Sequence, residues 1–121
     1  MIIIDTGIWI DDLRSPDPLL ASLILDLQGL LHPYVLGEIA LGSLPRRDVY
    51  LRAMRQLPRP AVARQHEVAR LIESENLHGS GVGFVDAHLL ASCKLTPGGK
   101  LWTRDKRLLA QAQRLTVSHD L

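Results

Sequence analysis

Ile2, Ile3 and Ile4 form an unbroken β-branched run that stops abruptly at Asp5. A strand with one wet face would alternate apolar and polar residues. A run with no polar break fits a strand buried on both faces, as in a parallel sheet covered by helices on each side. Parallel strands cannot be joined by hairpins, so helices must alternate with strands along the chain.

The remaining pattern agrees. Asp17 and Pro18 have the residue types of an N-cap and first helical position, and Leu19, Leu20, Leu23, Ile24 and Leu27 form an apolar stripe before Gly29. Leu30 to His32 reads as a second strand, and helices are expected over Tyr34 to Leu44, Arg46 to Leu57, Gln65 to Glu75, Phe84 to Cys93 and Lys106 to Gln113. Leu101 to Thr103 and Leu115 to Val117 read as third and fourth strands. The expected fold class is α/β: a three-layer α/β/α sandwich with a short, mostly parallel sheet, in one domain spanning residues 1–121. No apolar run approaches the ~18 residues of a membrane span, and the lone Cys93 excludes an intramolecular disulfide, so a cytoplasmic protein is expected.

Four acids stand in unusual company. Asp5 and Asp105 lie just past predicted strands, at the carboxyl ends where open α/β sheets place their ligands. At helical spacing Glu38 aligns with Val35 and Leu41, and Asp86 with Leu89, Leu90 and Cys93. An ionised carboxylate in apolar surroundings must be paired, hydrogen-bonded or bound to metal. No Lys or Arg adjoins Asp5, Glu38 or Asp86, and oxygen-only ligation selects hard ions such as Mg²⁺ or Mn²⁺ over zinc. Each acid also has an ordinary structural alternative: Asp5 as a turn residue, Asp105 as a helix cap, Glu38 paired with an arginine, Asp86 favoured by a helix dipole.

The set resembles the PIN-domain ribonucleases, in particular the VapC-like toxins of toxin–antitoxin pairs. The likeness is carried by Met1 to Ile10, by Leu36-Gly37-Glu38-Ile39, by Gly83 to Ala91 and by Leu101 to Leu108, with the acids in the same order. It implies a metal-dependent endoribonuclease acting as a toxin, in which Asp5, Glu38, Asp86 and Asp105 are the metal-binding and catalytic residues, with Mg²⁺ or Mn²⁺ as cofactor. Thr6 and Thr103 match supporting hydroxyl positions. A cognate antitoxin and a homodimer are implied as well. Some relatives carry a further acid close to the fourth; here Lys106 and Arg107 follow Asp105, which leaves a second metal unsupported.

The residues fit this chemistry independently, because carboxylate-held metal can activate water and neutralise a phosphodiester. Formal charge is only +1 overall, but residues 46–70 hold seven arginines against Asp48 and Glu67. Arg46 and Arg47, with Arg104, Lys106 and Arg107 beside the acids, are the candidate RNA-binding residues. Aromatic residues are only 4% of the chain and do not interleave with these cations, so no base stacking is expected there. Gly79, Gly81 and Gly83 lack the spacing of a phosphate loop and read as a flexible approach loop; His88 reads as a surface or edge residue, and Cys93 as core. Asp5-Thr6-Gly7 also matches the aspartic-protease triplet, but that fold is nearly all β. The competing function is a catalytically silent PIN-like interaction module whose acids bind a cation or a basic partner.

Overall fold

The computed structural model describes residues 1–120. Its elements are β1 (Ile2–Ile4), α1 (Thr6–Arg14), α2 (Pro18–Leu25), β2 (Gly29–Leu30), α3 (Pro33–Ala40), α4 (Arg47–Met54), α5 (Gln65–Ser74), α6 (Phe84–Leu95), β3 (Lys100–Trp102) and α7 (Lys106–Arg114). The strands form one parallel sheet in the order β2-β1-β3, with Ile3 opposite Leu30 and Leu101. Successive residues of β1 point to opposite faces. All three are nonetheless buried, at 7%, 0% and 0% exposure, so both faces of the central strand are covered as the isoleucine run requires.

The α/β class stands, and several boundaries move. Residues 6–14, which the sequence reading left without an element, form α1: Asp5 caps it and Ile8 and Trp9 bury its inner side. Its β-branched residues and early Gly7 hide the helical period. The second strand is Gly29–Leu30 rather than Leu30 to His32, because His32 turns away to cap α3, its Nδ1 accepting from the Tyr34 N–H at 3.0 Å. Helix α3 stops at Ala40, well before Leu44, and Leu41 is 90% exposed instead of continuing the stripe of Val35.

The fourth strand does not form. Leu115 ends α7, Thr116 adopts a left-handed φ of 59°, and the Thr116 and Val117 N–H groups bond back to Gln113 and Ala112. Among the described residues the segment meets the sheet backbone through one parallel bridge, from Leu101 to Ser118. Helices α2 and α5 close with the same reversed hydrogen-bond pair, around Leu27 (φ 56°) and Asn76 (φ 52°). Leu27 is consequently 68% exposed rather than part of the α2 stripe.

Candidate active site

Asp5 leaves the carboxyl end of β1 with its N–H bonded to the Trp102 carbonyl, so the ends of β1 and β3 are registered at the site. Its Oδ1 accepts from the Thr6 N–H at 2.8 Å, and its Oδ2 accepts from the Thr103 hydroxyl at 2.6 Å. The Thr103 oxygen in turn accepts from the Asp105 N–H at 3.1 Å. Asp105 caps α7, its Oδ1 accepting from the Arg107 and Leu108 N–H groups, both at 3.0 Å. Two acids 100 positions apart are thereby joined through one buried hydroxyl.

The helical acids meet them. Glu38, on α3, accepts from the Thr6 hydroxyl at 2.7 Å, which ties α3 to α1. Asp86 folds back on the start of α6, its Oδ2 accepting from the Gly83 N–H at 3.0 Å. Burial raises the pKa of Asp5 first, and the Glu38 and Asp105 charges raise it further against the lowering effect of its hydrogen bonds. Burial likewise raises Asp86, with Asp5 and Asp105 adding repulsion. The ordinary alternatives are thus partly true and insufficient: Asp5 and Asp105 are both helix caps, yet the four carboxylates share one field. Glu38 has no arginine partner, and among the described residues no ion pair reaches any of the four.

Among the described residues no three of these groups already close on a single point at metal-ligand spacing. An ion that keeps several waters, as Mg²⁺ does, could be reached by these oxygens directly or through those waters. Among the described residues one carboxylate oxygen each of Glu38, Asp86 and Asp105 has no hydrogen-bond partner, leaving it open to such an ion or its waters.

Of the predicted cations, Arg104 is engaged on the surface: its guanidinium binds Asp11 at 2.7 Å and Asp17 at 3.0 Å and lies over the Trp102 ring. Arg47 donates to the Ala40 carbonyl, and Arg107 lies across Gly81, whose φ of 90° and missing Cβ make room for it. Among the described residues Arg46, Arg47, Lys106 and Arg107 form no ion pair and stay exposed. Cys93 is core, and burial pushes its thiol up to about 12.

The expectation for His88 is overturned. It is 1% exposed, because Tyr34 and Phe84 cover it, with ring centroids at 4.6 and 4.8 Å. This cluster joins residues 50 positions apart, and no spacing rule within either helix could signal it.

The chain is 46% identical over 110 residues to the protein named Ribonuclease VapC32 of Mycobacterium tuberculosis, in strains CDC 1551 / Oshkosh and ATCC 25618 / H37Rv. The match covers 91% of this chain and 89% of each relative. No family model and no solved structure matches it.

Proposed function

We propose, for a chain that belongs to the VapC-like PIN-domain ribonucleases and acts as a ribonuclease toxin, that hydrolysis depends on Mg²⁺ or Mn²⁺ held by Asp5, Glu38, Asp86 and Asp105. The observation that carries the metal reading is four carboxylates in one field, the most buried raised in pKa, with no ion pair to any of them among the described residues. When bound, such an ion activates water and neutralises the phosphodiester.

The chain's own groups do the positioning. The Thr103 and Thr6 hydroxyls fix Asp5 and Glu38, and one of the Asp86 and Asp105 carboxylates orients the attacking water and takes its proton. Arg46, Arg47, Lys106 and Arg107 attract the RNA backbone toward a pocket that would otherwise repel it. Arg104 supports this rim through its hold on α1. A cognate antitoxin covering the pocket, a homodimer and a cytoplasmic place of action belong to the same reading. No helix among the described residues is long and apolar enough to cross a membrane.

The test is cleavage of single-stranded RNA by the purified chain with Mg²⁺ or Mn²⁺, against EDTA and an Asp5→Asn protein. Activity lost in both controls supports the reading. RNA binding without cleavage in any metal would favour the silent interaction module.

A further inference from the structure

Trp9 and Trp102 are buried at 3% and 5%, whereas Tyr34 and Phe84 remain 41% and 54% exposed. The two exposed rings come from different helices and converge on one support. His88 lies against both, Tyr34 at 60° and Phe84 at 86° between ring planes, with His32 behind it at 6.4 Å. Edge-to-face pairs of this kind fix ring orientation. His88 is 1% exposed and neither of its ring nitrogens has a hydrogen-bond partner among the described residues, so it supports the rings by packing rather than by a polar network.

Tyr34 links this pair to the acids. Tyr34 is one helical turn before Glu38 on the same side of α3. Phe84 opens α6 two positions before Asp86, on the other side of that helix, and joins Tyr34 through His88. A preset, half-exposed aromatic pair beside a phosphodiester-cleaving pocket suits the flat face of an unpaired base. The geometry points to Tyr34 and Phe84 as the stacking platform that holds an unpaired base of the RNA beside the phosphodiester to be cut. This rests on the ribonuclease reading of the acidic pocket, and names what that pocket selects: single-stranded RNA with a base free to leave its neighbours.

The probe is a set of mixed-sequence single-stranded RNA 12-mers, each carrying one 2-aminopurine, whose fluorescence is quenched on stacking. Binding is measured in EDTA with the full chain. Tyr34→Ala and Phe84→Ala should each weaken binding roughly 10-fold and relieve the quenching. Phe84→Trp should preserve both, and Phe84→Leu, which keeps apolar bulk without a π face, should behave like alanine. Because no charge changes, the salt dependence of binding should keep its slope. A duplex of the same sequence should show no ring-dependent binding. Because each ring covers His88, the alanine variants should melt somewhat below the parent, and Phe84→Leu, which keeps apolar cover, separates that loss from the loss of stacking.

Parent-like RNA affinity and quenching in the alanine and leucine variants would overturn the platform. So would variants whose only change is the elution volume on size exclusion, which would assign the rings to a protein contact. Metal-dependent cleavage by the parent is scored separately. Its absence alongside intact ring-dependent quenching would overturn the hydrolysis reading and leave the platform standing.

Discussion

Asp5 and His32 show how burial acts in opposite directions on two kinds of group. Burial raises the Asp5 carboxyl above the ordinary carboxylate range, whereas burial and the neighbouring His88 lower the His32 imidazole to about 4. Between the ordinary carboxylate value and the raised folded one, the folded protein holds a proton on Asp5 that the unfolded chain has lost. Stability from this group therefore falls as pH rises through that window and stays low at neutrality. For His32 the unfolded chain holds the extra proton between about 4 and the ordinary 6.5, so acidification through that range destabilises the fold. The Asp5→Asn protein isolates the first effect. Its one amide oxygen keeps either the Thr103 hydroxyl or the Thr6 N–H as donor and gives up the other, while the larger cost of burying the charge disappears together with the repulsion from Glu38 and Asp105. In EDTA at pH 7 it should melt roughly 2–5 °C above the parent, and the gap should narrow toward pH 4. Scanning calorimetry of both proteins across that range measures it; a lower melting temperature for the variant at pH 7 would contradict the account.

The helix ends are where local sequence and observed structure part most clearly. Asp17-Pro18 and the apolar stripe behind it foretell the start of α2, because capping chemistry and a fixed proline φ are properties of those residues alone. Its end is not foretold, because Leu27 takes a left-handed conformation that glycine or asparagine would normally advertise. Thr116 does the same after α7, and its β-branched neighbour Val117 made the segment read as a strand. Tertiary context decides otherwise: Val117 is buried under Leu101, which donates its N–H to the Val117 carbonyl, and the Lys100 ammonium binds the Thr116 carbonyl at 2.9 Å. A β-branched residue is strained at this φ. Thr116→Gly should relieve that strain and stabilise the protein by about 0.5–1 kcal/mol even after the added freedom of the unfolded chain is counted. Urea unfolding with an unchanged slope and a higher midpoint would bear this out. A lower midpoint would mean that the Thr116 hydroxyl bond to the Leu115 carbonyl outweighs the strain.

At the scale of the molecule, the fold gathers negative charge that the sequence keeps far apart. Asp5 and Asp105 were legible as ligand positions because both follow strands of a parallel sheet, and the carboxyl ends of such strands share one edge. Glu38 was legible only through order and resemblance: it is exposed and its supposed stripe partner Leu41 points to solvent, while the contact that places it, the Thr6 hydroxyl, belongs to a helix the pattern concealed. Tyr34, Phe84 and His88 meet through ring contacts between side chains of α3 and α6, which no single-helix periodicity encodes. Crowding of the acids has a consequence for the whole chain. An ion bound by the folded state and not by the unfolded one stabilises by mass action, about 2.7 kcal/mol when free ion is a hundred times its Kd, or roughly 10 °C for a domain of this size. Adding Mn²⁺ or Mg²⁺ to EDTA-treated protein should therefore raise the melting temperature along a saturating curve, reversibly with chelator. In Asp5→Asn the metal-free melting temperature starts higher and the ion-dependent rise shrinks, so the two melting curves should approach each other as ion is added. Parallel curves, or no rise in the parent, would remove the shared-ion account, since the repulsion among Asp5, Asp86 and Asp105 would then have been relieved by something other than a divalent cation.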